Sequence, residues 1–542
     1  MKKSMRIAAA ALAAALIFTG CSGGAKKKET VNVKLTENGS YPIVEEPVTL
    51  SVLAPASTYV EDYSTNDFTK YYEKKTNVKI DWQIISGELA QKLNVIVASG
   101  NYPDVFLNCG IKKPAQAQYG RDGIIIPLND LIEKHTVNIK KVLDENEYLK
   151  KQYTAPDGNI YGLGASSFAY HARTSNKLWV YEPWLEKSGM EMPETTEDFK
   201  NFLIKVRDGD FNGNGKKDEI PFLGLGTRDT VKFIMNSFTY MDDYMDFEFF
   251  VENGKVIYSP TTDGFKEGLK YIQDLYKEGL IAKDSFVIDR QQRTAIVENQ
   301  EYPLVACCPA LWYGQFTVNN GGTGRFAEFT AVPPLTGPSG RKATAMRQPL
   351  IDGQKFSISA SCEYPEVAIR WVDRFFCEEG FLEAESGQEG VGWRKAKDGE
   401  KNIFGQPAKY VDLAGEFGET QNKHWVQLVP EHRKDEDEFA FASDDTTGQS
   451  LEARLYKESQ KYEPYIEDKT LPDMFYDESV MNEYSTLKTN IYNETYRMVA
   501  DMILGDKDID SQWDGYISTL EKQGLKRYTE IQQETYDKYI KN

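Results

Sequence analysis

The chain has 542 residues, a formal net charge of −19 and 40% hydrophobic residues, 12% of all positions being aromatic. That length exceeds what a single hydrophobic core usually supports, so two lobes are expected. The acidic balance and the lack of any basic stripe exclude nucleic acid as a partner, and the six cysteines show no paired CxxC spacing, which leaves neither a zinc site nor a disulfide scaffold supported.

The N-terminus opens with the basic head Met1–Arg6, continues as an Ala/Leu/Ile-rich run to Phe18 and breaks at Thr19-Gly20-Cys21-Ser22. A basic head, a short apolar body and small residues before a break make a secretory signal, too short for a spanning helix of about 20 residues. Small residues directly before Cys21 match a lipobox, in which that cysteine is acylated and becomes the mature N-terminus. Residues 1–20 are then the signal, and residues 21–46, with Lys26–Lys28 and no apolar periodicity, a flexible tether.

From Val48 the pattern alternates strand and helix. Val48–Ala54 reads as a strand, Phe68–Lys75 as a helix, Val78–Ile84 as a strand, Leu89–Ser99 as a helix with Leu89, Leu93, Ile96 and Val97 on one face, and the run ending at Leu107 as a third strand. Such an open α/β lobe binds ligands beyond the carboxyl ends of its strands, which puts Tyr59 and Asn108 at a cleft edge. A second lobe starts near Leu178. Its helix Thr195–Arg207 leads into Asp208-Gly-Asp-Phe-Asn-Gly-Asn-Gly-Lys-Lys-Asp-Glu-Ile-Pro-Phe222, a dense run of oxygen donors spaced by glycines that reads as a calcium loop. With Asp208 as position 1, Asp210, Asn212, Gly213 and Glu219 fall on positions 3, 5, 6 and 12 of the EF-hand pattern. With Asp210 as position 1, Asn212, Asn214, Gly215, the Lys216 carbonyl and Asp218 fall on 3, 5, 6, 7 and 9, with Glu219 adjacent. The second register is preferred, because Pro221 cannot donate a helical hydrogen bond and so disfavours an exit helix. The expected picture is a rigid loop joining a helix to a strand around a structural ion.

Several segments, in this order, resemble the family 1 extracellular solute-binding proteins of ABC transporters: Gly100–Phe106, Gly123–Leu131, Pro156–Gly162, Trp184–Pro193 with the helix and Asp/Asn/Gly loop that follow, Pro333–Gly340, and the Pro-Glu-x-Ala-x-Arg-Trp helix at Pro365–Trp371. The similarity is strongest to the large lipoprotein branch that includes alginate-oligosaccharide binders. It implies a two-lobed, class II periplasmic-binding-protein-like α/β fold with hinged lobes, a central cleft and helical C-terminal additions. Residues 47–172 would form the N-terminal lobe and 173–355 the C-terminal lobe. Residues 356–422 would return to the first lobe, and 423–542 would pack mainly on the second. It also implies a structural Ca2+ held by Asp210, Asn212, Asn214, Lys216 through its carbonyl, Asp218 and Glu219, an oligosaccharide ligand, ABC permease subunits as partners, and a monomer anchored through Cys21 on the extracellular face of the cell membrane.

Sugar binding needs aromatic faces for the C–H side of pyranose rings and polar groups for the hydroxyls. The candidates least explained by core packing are Trp312 beside Gly314, Trp393 and Glu389 in a glycine-rich turn, and Tyr170 near the first crossing between lobes. An alternative is a secreted glycosidase or lyase using paired carboxylates. With 83 acidic residues such pairs arise easily by chance, only four histidines are present, and GxSxG and HExxH are missing, so no enzyme is expected. A peptide-binding receptor is a further alternative.

Overall fold

The computed structural model describes residues 31–541 apart from 167–168, 175, 242–248, 319–322, 347–350, 415–419, 435–436, 438, 446–449 and 506–507. The signal segment and Cys21 therefore lie outside the described residues. The expected tether is shorter than 21–46. Val31 donates its N–H to Glu363 O at 2.9 Å, Leu35 and Val44 bridge, and Ile43 and Val44 are buried in the first lobe. The apolar residues Val33, Leu35, Ile43 and Val44 give this stretch a reason to pack that a solvated linker lacks.

The first lobe is built on a six-stranded sheet in the order Glu431–His432, Leu163–Ser166, Ile351–Ile358, Val105–Leu107, Val48–Pro55, Val78–Ile85. All run parallel except Ile351–Ile358, which is antiparallel to both of its neighbours. Alternation along the central strands divides their side chains between two faces. Leu50, Val52, Val105 and Leu107 join Trp371 in one core, while Leu53 and Phe106 join Ile111 and Tyr161 in the other. The strand Ile351–Ile358 places the return to this lobe before residue 356. The edge strand Glu431–His432, together with buried Trp425, Leu428 and Val429, keeps the chain there past residue 422.

The second lobe carries the sheet Phe329–Val332, Lys177–Tyr181, Val305–Ala310, Ile220–Phe222. Its helix Thr196–Asp208 begins with a capping box: Asp198 N–H donates to Thr195 Oγ1, and Thr195 N–H to Asp198 Oδ2, each at 3.0 Å, an arrangement contributing about 1 kcal/mol. Phe199, Phe202, Leu203 and Val206, at helical spacing, face the sheet and are fully buried, each contributing about 1.5–3 kcal/mol. The C-terminal helices Glu478–Leu504, Ile509–Lys522 and Leu525–Lys541 share this core through Ile491, Val499, Met502, Leu520 and Ile531. Cys109, Cys307, Cys308 and Cys362 are buried and unpaired, as is the half-buried Cys377. Among the described residues no helix is long and apolar enough to cross a membrane.

Candidate functional site

The strand directions define a cleft. Pro55, Leu107, Ser166 and His432 end their strands on one edge of the first sheet, the edge at which Ile351 enters. On the second sheet, Lys177 begins its strand opposite Ala310, where Val305–Ala310 ends, and the parallel strand Ile220–Phe222 ends alongside. The chain passes between the sheets after Ser166, before Ile351 and between His432 and Leu451, so these edges face each other across the crossings.

Tyr59 and Asn108 both follow strand ends on the first of these edges. Tyr59 is half-buried, and its carbonyl accepts from the backbone N–H and the side-chain amide of Gln421, both at 3.0 Å. Asn108, at φ +53°, donates its N–H to Lys355 O at 2.6 Å. Trp312 stands two residues past Ala310 on the facing edge, partly buried, with its ring centroid 6.3 Å from that of His171. The six-membered ring of its indole comes so near Gly314 that an added Cβ would lie 2.2 Å from it, so this placement requires glycine.

Trp393 lies elsewhere: it is 1% exposed, on the short strand Trp393–Lys395, packed with Phe381, Leu382 and Tyr410. Its residue alternation turns the ring inward, so in this structure it offers no face for stacking, whereas Glu389, on the preceding turn, is exposed. Tyr170 is drawn into an aromatic group. Its ring is 4.7 Å from Tyr456 and 5.9 Å from Phe439, with the Arg173 guanidinium 5.7 Å from its centroid. Burial, reinforced by Glu463, pushes its phenol up.

Sequence reasoning missed Phe404, Phe439 and Tyr456, which extend this group between the first-lobe additions and the second-lobe helix Leu451–Gln460. It also missed Arg433. This residue follows the edge strand, donates its backbone N–H to Ser166 O at 3.0 Å and lays its guanidinium 4.9 Å from the Phe381 ring. Glu385 and Glu452 stand within its electrostatic reach; surrounding protein pushes the Glu385 carboxyl up, and Arg433 opposes that shift. The only sequence signal for these residues is long-range proximity, which a single chain does not display.

The acidic loop joins the helix Thr196–Asp208 to the strand Ile220–Phe222, the helix-to-strand geometry expected for it. Asp210 Oδ1 and Oδ2 accept from Gly213 and Gly215 N–H at 2.8 and 3.0 Å, an arrangement that fits Asp210 as the first position and Gly215, at φ +78°, as the turning glycine. The Asn212 and Asn214 amides sit 2.9 and 3.1 Å from the Asp218 carboxylate and hold its pKa below the usual range. Glu219, 8% exposed, accepts at Oε1 from Phe211 and Asn212 N–H at 2.6 and 2.9 Å, while its buried Oε2 has no hydrogen-bond donor. A buried carboxylate oxygen without a donor, amid hard oxygen ligands, fits a hard divalent cation. Among the described residues no group of three or more His, Cys, Asp or Glu converges, so this set depends on its amides and a carbonyl.

A bacterial extracellular solute-binding protein model matches residues 56–376, and the chain belongs to that family, whose members bind solutes and are not enzymes. Over its whole length it is 29% identical to the fructooligosaccharide ABC transporter substrate-binding protein FusA of Streptococcus pneumoniae serotype 4, covering 99% of that protein. A solved structure of FusA, an EF-hand mutant in complex with fructo-nystose, superposes with a TM-score of 0.75 at 28% identity, covering 91% of this chain and 100% of that one. Lipoprotein LipO of Bacillus subtilis strain 168 is 26% identical over 71% of this chain and 73% of its own. An extracellular solute-binding protein from Bifidobacterium longum subsp. infantis, at 22% identity, shares the fold with a TM-score of 0.78 over 91% of this chain and 98% of that one.

Proposed function

We propose that this chain is the substrate-binding lipoprotein of an ABC importer, capturing an oligosaccharide between its lobes and delivering it to the permease. The observation that carries this reading is the end-to-end similarity to FusA, combined with Trp312 standing half-open at the cleft edge of the second sheet. Tyr59, Asn108, Tyr170 and Glu389 are the further ligand-facing candidates, with Trp312 as the stacking platform; buried Trp393 supports the wall behind Glu389. Ligand bridging both lobes stabilises the closed form by its differential affinity for it. Cys21 carries the lipid that holds this monomeric receptor at the outer face of the membrane, and the loop Asp210–Glu219 holds a structural calcium, as the EF-hand of FusA suggests by kinship.

The test is calorimetric titration of residues 25–542, in calcium, with kestose, longer fructo-oligosaccharides, alginate oligosaccharides and short peptides, each recovered afterwards and analysed for cleavage. Binding of a sugar returned intact is the expected result. Cleavage of the sugar, or binding of peptides alone, would overturn it.

A further inference from the structure

The segment Ile466–Asp477 belongs to the C-terminal addition, yet it ties both lobes together beside the crossings. Ile466–Glu467 pairs in parallel with Thr344–Ala345, and Thr470 Oγ1 donates to Met346 O at 2.7 Å, the last described residues before the second crossing. Further on, the segment lands on the first lobe. Lys113, at the start of the helix Lys113–Arg121 and 4% exposed, donates to Asp473 O at 2.7 Å and to Gln152 Oε1 at 2.5 Å, with Asp473 Oδ2 3.3 Å away and the Phe475 ring centroid at 5.2 Å. Phe475 packs against the first-lobe core of Leu53, Phe106 and Tyr161. Gln152 in turn donates to Tyr539 Oη at 2.9 Å, and Arg121 pairs with Glu478 at 3.0 Å, so the tips of two C-terminal helices also touch this lobe. The neighbour of Gln152, Tyr153, donates to Gly164 O at 2.9 Å, in the strand that leaves the lobe at the first crossing.

We propose that residues 466–478 are a non-covalent part of the hinge, a fulcrum about which the lobes turn, with Lys113 and Phe475 as its positioning residues. This goes beyond the receptor reading but rests on its hinge closure. Two observations favour a fulcrum over a latch that opens. Parting the surfaces would break the hydrogen bond from Lys113 to Asp473 O and uncover the apolar ring of Phe475, which packs on the first-lobe core. The contacts also sit beside strands that connect the lobes covalently, where rotation displaces atoms least.

Hydrogen exchange of the full mature protein, with and without saturating kestose, separates the two. A fulcrum keeps peptides covering 113–121 and 470–478 equally protected in both states, whereas protection gained there on adding sugar marks a latch and would overturn the proposal. A second arm needs no ligand. The double variant Asp473→Ala/Phe475→Ala should raise the exchange of those peptides at least tenfold and increase the radius of gyration of the sugar-free protein, while Asp473→Glu with Phe475 intact restores wild-type behaviour. In the presence of kestose the double variant should bind about tenfold more weakly. Unchanged scattering and exchange in the double variant would sink the fulcrum; failure of wild-type protein to bind any sugar, with the ligand-free arm as expected, would instead fault the receptor reading and support the fulcrum alone.

Discussion

Trp312 and Trp393 both stand near glycines in irregular sequence, and the side chains around them decide what each does. Trp312 follows a strand that ends at the cleft and leans on Gly314, keeping part of its ring in solvent. Trp393 is closed in by Phe381, Leu382 and Tyr410. Replacing each by alanine should therefore separate binding from stability. Trp312→Ala is expected to weaken kestose binding about tenfold, roughly 1.4 kcal/mol, with little change in the denaturation midpoint, because an aromatic stack is lost but no core is emptied. Trp393→Ala should cost about 3–5 kcal/mol of stability and leave the affinity of the folded fraction near wild type. Titration and urea unfolding on both variants check this, and the reverse pattern would show that the buried ring is the platform. A glycine-rich turn predicts a loop, but it says nothing of which side of a three-residue strand faces inward, so the sequence alone does not separate a platform from the buried ring found at Trp393.

At the scale of elements, legibility follows the span over which the physics acts. The acidic loop is legible as a candidate cation site because every donor lies within Asp210–Glu219 and the glycines that turn it are in the same stretch. The strands Val48–Pro55 and Val78–Ile85 and the helix Thr196–Asp208 were readable because their apolar residues recur at periods of 2.0 and 3.6. The two-residue strand Glu431–His432 was not, since its pairing with Ala165–Ser166 is written only in the folded chain. The loop yields a prediction of its own. Calcium bound to the folded form alone stabilises it by about 2.7 kcal/mol when the free ion is a hundredfold above Kd. Adding a chelator should therefore lower the Tm by several degrees, and Asp210→Ala should remove that difference by breaking the Gly213 and Gly215 hydrogen bonds along with a ligand. Superimposable melting curves of the wild type in calcium and in chelator would refute the metal assignment.

Across the whole molecule the two lobes are unequal in how they complete their cores. The first closes its sheet on both faces chiefly with residues between Val33 and Val429, joined by Phe475, while the second depends on helices that come last in the chain. Strand and helix alternation announced the two lobes, but the charged composition of the C-terminal helices hid how deeply one side of each is buried. Ile491, Val499, Met502, Ile503, Leu520 and Ile531 are each at most 1% exposed in the same cluster as Trp179 and Phe222. At about 1.5–3 kcal/mol apiece, these six contribute on the order of 10 kcal/mol, comparable to the whole net stability of a typical domain. A chain ending at Asp477 would leave the apolar faces of Lys255–Tyr258 and Asp263–Lys277 uncovered, and it should lose the near-ultraviolet circular dichroism of its second lobe, expose surface to hydrophobic dyes and aggregate. A truncated protein that stays monomeric and unfolds at the full-length denaturant midpoint would show instead that the helices are an accessory. The expected collapse would mean that the second half of the cleft, Trp312 included, forms only once the last helix of the chain has been made.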